Sequence, residues 1–350
     1  MQSQMTGLGL IVETASYGAI HQSVAIGIAM LVLAFYVTIS GVHGTAWTAV
    51  LKDITILAVV IVIGIALPMH VGGFHAMFTK INAEKPGFLT LGAKGMGVPW
   101  FISTVALTGL GFYMWPHAFG AVYTAKHERV FRKNAIFLPL YQLILLFVFF
   151  AGFAAILITP GLKNSNLALL EAVQKVFPGW VAGVIGGAGV LTAIVPGSLM
   201  LMCAGTLIAE NIYRPIAGNN ASPKQVQTVA RVMVWVVAAV TFLFSIHSNA
   251  AIVTLLLMGY NFVSQFFPTV LLAIFARRVV SKAGAFAGIL VGVAMVVYFT
   301  MSNDSLLWGV NTGFWALLIN FIVVLLVSSV TRKATYSGTL SAESVRRKGL

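Results

Sequence analysis

The chain repeats one element about nine times: an apolar run long enough to cross a lipid bilayer, closed by a short punctuated break. Hydrocarbon offers the backbone no hydrogen-bond partner, so segments that cross it are helices or closed barrels. The runs here are about 20 residues or longer and do not alternate with period two, which predicts helices and not barrel strands. They fall near 18–40, 49–68, 98–123, 134–159, 178–209, 227–247, 250–276, 283–301 and 306–330. The breaks carry turn residues: Pro68 with Gly72-Gly73, Pro160-Gly161, Gly218-Asn219-Asn220 with Pro223, and Asn303-Asp304. The longest loop is 69–97, of mixed charge, and no segment suits a soluble domain. The expected class is an all-α integral membrane protein, with a transmembrane domain over 1–334 and a basic cytoplasmic tail over 335–350.

Charge supports this. Only 8% of the residues are charged, against roughly 25% in a soluble domain, too few to cover a folded surface in water. The net charge of +13 does not point to nucleic acid. The basic residues sit in short loops between apolar runs, where they face anionic head groups. One face collects Lys52, Lys126, Arg129, Arg132, Lys133, Arg214, Lys224, Arg231, Arg277, Arg278, Lys282, Arg332, Lys333, Arg346, Arg347 and Lys348, which is 16 of the 21 basic residues. The other face has the remaining five, Lys80, Lys85, Lys94, Lys163 and Lys175. Positive charge marks the cytoplasmic side, so the chain is expected in the inner (plasma) membrane, multi-pass, with its carboxy-terminus in the cytoplasm. Residue 1 then lies outside, yet residues 1–17 lack the basic start of a signal peptide. They are expected to be the tail of an element that begins upstream. The single cysteine, Cys203, lies in an apolar run and can form no disulfide within the chain.

Ionisable groups inside spans are costly and usually functional. Few occur: Lys52 and Asp53 early in the second span, His117 in the third and Glu210 at the end of the fifth. There is no paired-carboxylate motif, no nucleophile elbow, no phosphate-binding glycine loop and no metal-ligand spacing in the sequence. An enzyme is therefore not expected, and no obligate protein partner is evident.

Three spans carry interruptions. In the third, Gly109 and Gly111 precede Tyr113, Trp115, Pro116 and His117. Pro116 removes a backbone donor, and a half-helix starting there would aim its positive end into the protein, where an anion is stabilised. In the fifth, Pro196 frees the carbonyl of Thr192, close to Ala193, Gly197 and Ser198. Carbonyl and hydroxyl oxygens suit a small cation, although a simple kink is an equal alternative. In the seventh, Tyr260 precedes Asn261 and Gln265, whose four-residue spacing puts both amides on one helix face. They suit either a polar substrate or bonds between helices.

With these residues set out, the chain resembles the sodium:solute symporter family over essentially its whole length. Tyr36-Val37-Thr38, Gly41 to Gly44 and Ala46-Trp47-Thr48 resemble that family's signature between two spans. Leu110-Gly111-Phe112-Tyr113 with Trp115-Pro116-His117 is similar to the stretch ending in Gln-Pro-His of its proline-transporting members. Ala193-Ile194-Val195, closed by Asn211-Ile212-Tyr213, resembles its Ala-x-x-Ser-Ser helix. Pro268, Arg277-Arg278 and Lys282-Ala283-Gly284-Ala285 with Gly288 resemble its Pro to Lys-x-Gly-Ala run.

The resemblance implies a LeuT-like fold of two inverted five-helix repeats. The first two spans here would be core helices four and five, the next five would be six to ten, the last two would be peripheral, and core helices one to three would be missing apart from the end of the third near Gln4 to Ile11. It also implies a secondary active transporter, a solute:cation symporter working by alternating access within the lipid bilayer. The Trp-Pro-His variant looks most like the monocarboxylate branch, so the expected substrate is a small organic anion such as lactate, pyruvate or acetate. The alternatives are another small solute, such as a proline-like amino acid, or a truncated fragment without activity. Gly111, Tyr113, Trp115, His117, Tyr260, Asn261 and Gln265 are the expected substrate-binding residues. Asp53, Thr192, Ala193 and Ser198 are expected to couple a cation, with Ala193 and Ser198 as candidate Na+ ligands. The usual pair of serines falls on Pro196 and Gly197, and the usual aspartate on Ala49, so H+ through Asp53 and His117 is the alternative coupling ion. No other cofactor is expected.

Overall fold

The computed structural model describes residues 1–92, 95–124, 127–218, 221–247, 250–276, 279–302 and 306–335, with backbone alone at 40–46, 121, 124 and 332–335. Lys94, Lys126, the Asn219-Asn220 turn, Arg277-Arg278, Asn303-Asp304 and nearly all of the basic tail lie outside the described residues. So do the side chains of the Gly41–Gly44 signature, Arg332 and Lys333.

In chain order the α-helices are α1 (Gln2–Ala15), α2 (Gln22–His70), α3 (Gly73–Glu84), α4 (Val98–Gly111), α5 (Pro116–Thr124), α6 (Glu128–Gln142), α7 (Leu145–Ile158), α8 (Ala168–Val176), α9 (Gly179–Ile208), α10 (Arg214–Ala217), α11 (Pro223–Ile246), α12 (Ile252–Val263), α13 (Phe267–Phe275), α14 (Lys282–Met301) and α15 (Thr312–Thr335). Among the described residues, eight segments are long and apolar enough to span a membrane, and the apolar segment Val98–Met114 is shorter. Each of the nine expected spans therefore has a counterpart, and the third is short because it breaks.

Helix α2 holds two of those spans, Gln22–Ile39 and Trp47–His70. It is not one straight rod. The Tyr36 hydroxyl and Thr48 Oγ1 are 2.5 Å apart, whereas twelve residues of straight helix rise about 18 Å. The helix must bend sharply between them, at the expected break.

The contacts divide the chain into two compact units, one of Met1–Thr90 and Gly120–Leu256, the other of Leu91–Phe119 and Leu257–Leu350. In the first unit, one apolar cluster joins Ile63 and Leu67 of α2 to Ala151, Ala154 and Ala155 of α7 and Ala182 and Ile185 of α9. Met77 and Ile81 of α3 and Ala172 and Val173 of α8 complete it. Both short helices lie in segments expected to be plain loop. Met77 and Ile81 sit at helical spacing and Ala172 and Val173 are adjacent, but helices of 12 and 9 residues are too short to register as spans. A second cluster joins Met5 and Leu8 of α1 to Ile26 and Leu33 of α2 and Leu201 of α9. Helix α1 is thus packed against α2 and α9, over the stretch where the resemblance placed the end of a core helix.

The fifth span corrects another expectation. No interruption occurs at Pro196-Gly197: α9 runs unbroken for 30 residues with Pro196 inside it. A proline removes one ladder bond, and a long packed helix tolerates that loss. The irregularity comes later, as one wider turn over Ala209–Tyr213.

In the second unit, α14 and α15 pack lengthwise. The Ser281 hydroxyl caps α14 by accepting from Gly284 N at 3.0 Å, and Ser281 N donates to Ser328 Oγ of α15 at 3.1 Å. A two-residue hairpin, β1 (Leu306–Leu307) and β2 (Val310–Asn311), is the one departure from an all-helical chain among the described residues. Trp308 and Gly309 form its turn with φ of 53° and 76°, as a tight primed turn requires at both central positions.

Candidate functional site

The third span breaks where the sequence placed the break. Helix α4 stops at Gly111, a tight turn covers Phe112–Met114, and Trp115 is extended with φ −63° and ψ 128°. A residue before proline is pushed out of the helical region, and Pro116 then starts α5 with its ring torsion already suited to a helix. The first bond of α5 runs from Phe119 N to Trp115 O at 2.9 Å. The amides of His117 and Ala118 precede it and have no acceptor within the helix. Such a helix start favours negative charge.

Three expected site residues meet here. The Trp115 and Tyr260 rings lie edge to face with centroids 5.5 Å apart, and the Trp115 and His117 rings are 5.9 Å apart. All three are half-buried. A Cβ on Gly259 would sit 2.7 Å from Trp115 Cη2, so the indole lies against bare backbone. Tyr113 stands in the tight turn with its ring edge-on to Phe112 at 5.1 Å. Gly111 is buried, and a Cβ there would overlap Ser264 Oγ, which donates to Leu107 O at 3.0 Å. Gly111 thus serves the crossing of two interrupted helices and offers no side chain of its own.

The seventh span is also interrupted. Helix α12 gives way at Ser264–Phe266 to a tighter turn, and α13 resumes with Pro268 in its first turn. Gln265 lies inside this turn at 0% exposure. Its Nε2 donates to Asn261 O at 3.0 Å and Gly313 O at 3.3 Å, while Asn320 Nδ2 donates to Gln265 O at 2.7 Å and to its Oε1 at 3.1 Å. The Gln265 amide is therefore taken up in bonds to α12 and α15. Asn261 Oδ1 and Asn320 Oδ1 are buried without a hydrogen-bond partner among the described residues. Asn320 was missed in the sequence because it sits alone in an apolar run, with no periodic signal. Asn311 was missed too. Its Nδ2 donates to Thr104 Oγ1 at 2.9 Å and its Oδ1 accepts from Gly313 N at 2.8 Å, so it caps α15 and ties it to α4.

The expected cation residues belong to the first unit. Ser198 is fully buried and its Oγ donates to Val195 O at 2.7 Å; Thr192 Oγ1 donates to Ala188 O at 2.8 Å. Ala193 is buried within the α1–α2–α9 cluster. Both hydroxyl oxygens keep lone pairs that can meet a cation. Asp53 has other neighbours. Its carboxylate pairs with Lys52 at 2.7 Å and accepts from the Tyr141 hydroxyl at 3.3 Å, and its side chain is 47% exposed. Among the described residues no cluster of three His, Cys, Asp or Glu could hold a metal.

The family model of the sodium:solute symporters matches residues 1–292. The chain belongs to the sodium:solute symporter family. The uncharacterized symporter YhjB of Bacillus subtilis (strain 168) is 49% identical over 344 residues, 95% of this chain and 70% of the relative. The monocarboxylate transport permease protein of Rhizobium johnstonii is 26% identical over 343 residues, 93% of this chain and 68% of the relative. The osmoregulated proline transporter OpuE of Bacillus subtilis is 26% identical over 350 residues, 95% of this chain and 69% of the relative. A solved Na+-coupled sialic acid symporter in a substrate-bound, outward-open state shares the fold with a TM-score of 0.71 and 18% identity, over 96% of this chain and 74% of that one. The LeuT-like fold expected from the sequence is thereby found, and family and fold are those of transporters.

Proposed function

We propose that this symporter carries a small monocarboxylate, such as lactate, pyruvate or acetate, by alternating access. The observation that carries this reading is the start of α5. Two backbone amides without helical acceptors, at His117 and Ala118, open beside the Trp115, Tyr260 and His117 rings. A carboxylate would accept from those amides, and a short apolar body would lie on the rings. Tyr113 and Asn261 border the same two interruptions, and the buried Oδ1 of Asn261 can accept from a substrate hydroxyl. Gln265 acts from behind, holding the interruption in place.

Family membership supports Na+ as the coupling ion, with Thr192, Ala193 and Ser198 as its contacts. Asp53, with Tyr141, is a separate charge that would serve H+ if protons drive uptake. The loop charges support an inner (plasma) membrane location with a cytoplasmic carboxy-terminus.

Purified protein in liposomes decides the matter. Saturable uptake of labelled lactate or pyruvate, driven by an inward Na+ gradient and lost in its absence, is expected. Saturable uptake of proline with no competition by monocarboxylates would favour the second reading, a carrier of a proline-like amino acid, which the 26% identity to the proline transporter supports equally. Uptake of neither class overturns both.

A further inference from the structure

A groove of about 280 Å³ opens in the first unit among the end of the Gln22–Ile39 span, the last third of α9 and the start of α11. Its polar lining is Arg231, Gln227, Thr38 and Thr206; its apolar wall includes Met202 and Val234. Arg231 is exposed. The ion pairs among the described residues are Lys52–Asp53, Arg132–Glu128 and Arg214–Glu210, and none of them reaches Arg231. The neighbouring segment 40–46 contains no acidic residue that could neutralise it.

The hydroxyls are already committed as donors. Thr38 Oγ1 donates to Ala34 O at 2.6 Å and Thr206 Oγ1 to Met202 O at 2.9 Å. Both oxygens can still accept. The groove therefore offers a forked cation and an amide as donors, two acceptors beside them, and an apolar wall below. A phosphodiester suits the guanidinium, hydroxyls on its head group suit the threonine oxygens, and an acyl chain suits Met202, Val234 and Ile39, which is 81% exposed. The groove sits where three spans end, on the side of the chain that collects the basic loops, and there anionic lipid is the available phosphate.

We propose that this groove binds the head group of an anionic phospholipid, with Arg231 holding the phosphate and Gln227, Thr38 and Thr206 reading the head group. The site is distinct from the proposed substrate residues, and its test does not depend on transport.

The full chain, purified in neutral detergent, is titrated with dioctanoyl phosphatidylglycerol, dioctanoyl phosphatidylcholine and glycerol 3-phosphate, and bound lipid is counted by native mass spectrometry. Saturable binding of phosphatidylglycerol is expected, at least tenfold tighter than either of the others and at least tenfold weaker in Arg231→Gln. Arg231→Lys should keep part of it, and added salt should weaken it in the unaltered chain. Equal binding of phosphatidylcholine overturns the proposal, as does unchanged affinity in Arg231→Gln. Glycerol 3-phosphate binding as tight as the lipid would make the groove a site for soluble phosphates and overturn the lipid assignment. If Arg231→Gln does not fold, Gln227→Leu and the salt titration stand in for it, and salt-independent binding in an unaffected Gln227→Leu overturns the proposal equally.

Discussion

Replacing Asn320 by alanine isolates what holds the seventh span in its interrupted form. The change removes two hydrogen bonds, from Asn320 Nδ2 to Gln265 O at 2.7 Å and to Gln265 Oε1 at 3.1 Å. Bonds between helices in a membrane protein average about 0.6 kcal/mol and reach about 1.7. A buried polar group left without a partner costs about 1–3 kcal/mol. Both acceptors belong to a residue with no exposure, so the upper part of each range applies. One offset exists: Asn320 Oδ1 has no partner among the described residues, and its removal relieves an unmet acceptor. The net expectation is a loss of about 1–3 kcal/mol, from the same ranges. Equilibrium unfolding in mixed micelles measures it, for Asn320→Ala, for Gln265→Leu and for both together. The two side chains share the bond from Asn320 Nδ2 to Gln265 Oε1, so the cycle should show a coupling above about 0.5 kcal/mol. Singles that each cost less than about 0.5 kcal/mol and simply add would refute the brace. Gln265 would then be free for substrate.

Further expectations concern the other candidate residues. Gly259→Val places carbon where the Trp115 indole lies and should abolish saturable uptake while the protein still inserts and folds, measured by transport and circular dichroism. Ser198→Ala should raise the Na+ concentration for half-maximal uptake by about tenfold, the scale of one charge-assisted contact, with little change in the maximal rate. Tyr141→Phe should change stability by less than about 0.5 kcal/mol, because an exposed pair gives little. A larger loss in unfolding experiments would mean that Asp53 is less accessible to solvent than its geometry indicates.

The spans were legible because lipid imposes one rule on every residue of a crossing segment, and composition alone satisfies it. The interruption at Trp115-Pro116 was legible for a local reason. A proline dictates its own torsion and that of the residue before it, so two adjacent residues determine the break whatever packs around them. Pro196 looks the same on paper, yet α9 passes through it unbroken. There the outcome depends on what the surrounding helices tolerate, and Met5 and Leu33, which approach Gly197 from α1 and α2, lie far away in sequence. Helices α3 and α8 were hidden because their burial comes from Ile63, Ala151 and Ile185 on other elements.

The same distinction separates Gln265 from the residues at Trp115. A polar side chain in a span has two fates: the fold consumes its hydrogen bonds, or the fold leaves them for something that comes and goes. Spacing cannot tell these apart, because Asn261 and Gln265 share one face in either case. What decides is the identity of partners 48 and 55 residues away, the Gly313 carbonyl and the Asn320 amide. A Cβ on Gly292 would overlap Gln265 Oε1, so even a glycine in α14 belongs to the arrangement. Among the described residues no comparable set of side-chain bonds is seen at His117 and Ala118 at the start of α5. Pro116 has no N–H to give and the amides of His117 and Ala118 lie ahead of the first helical bond, so backbone donors remain there beside the Trp115 and Tyr260 rings. The helix interruption whose amide is spent gives rigidity, and the one whose amides lie ahead of the first helical bond is the one that favours negative charge.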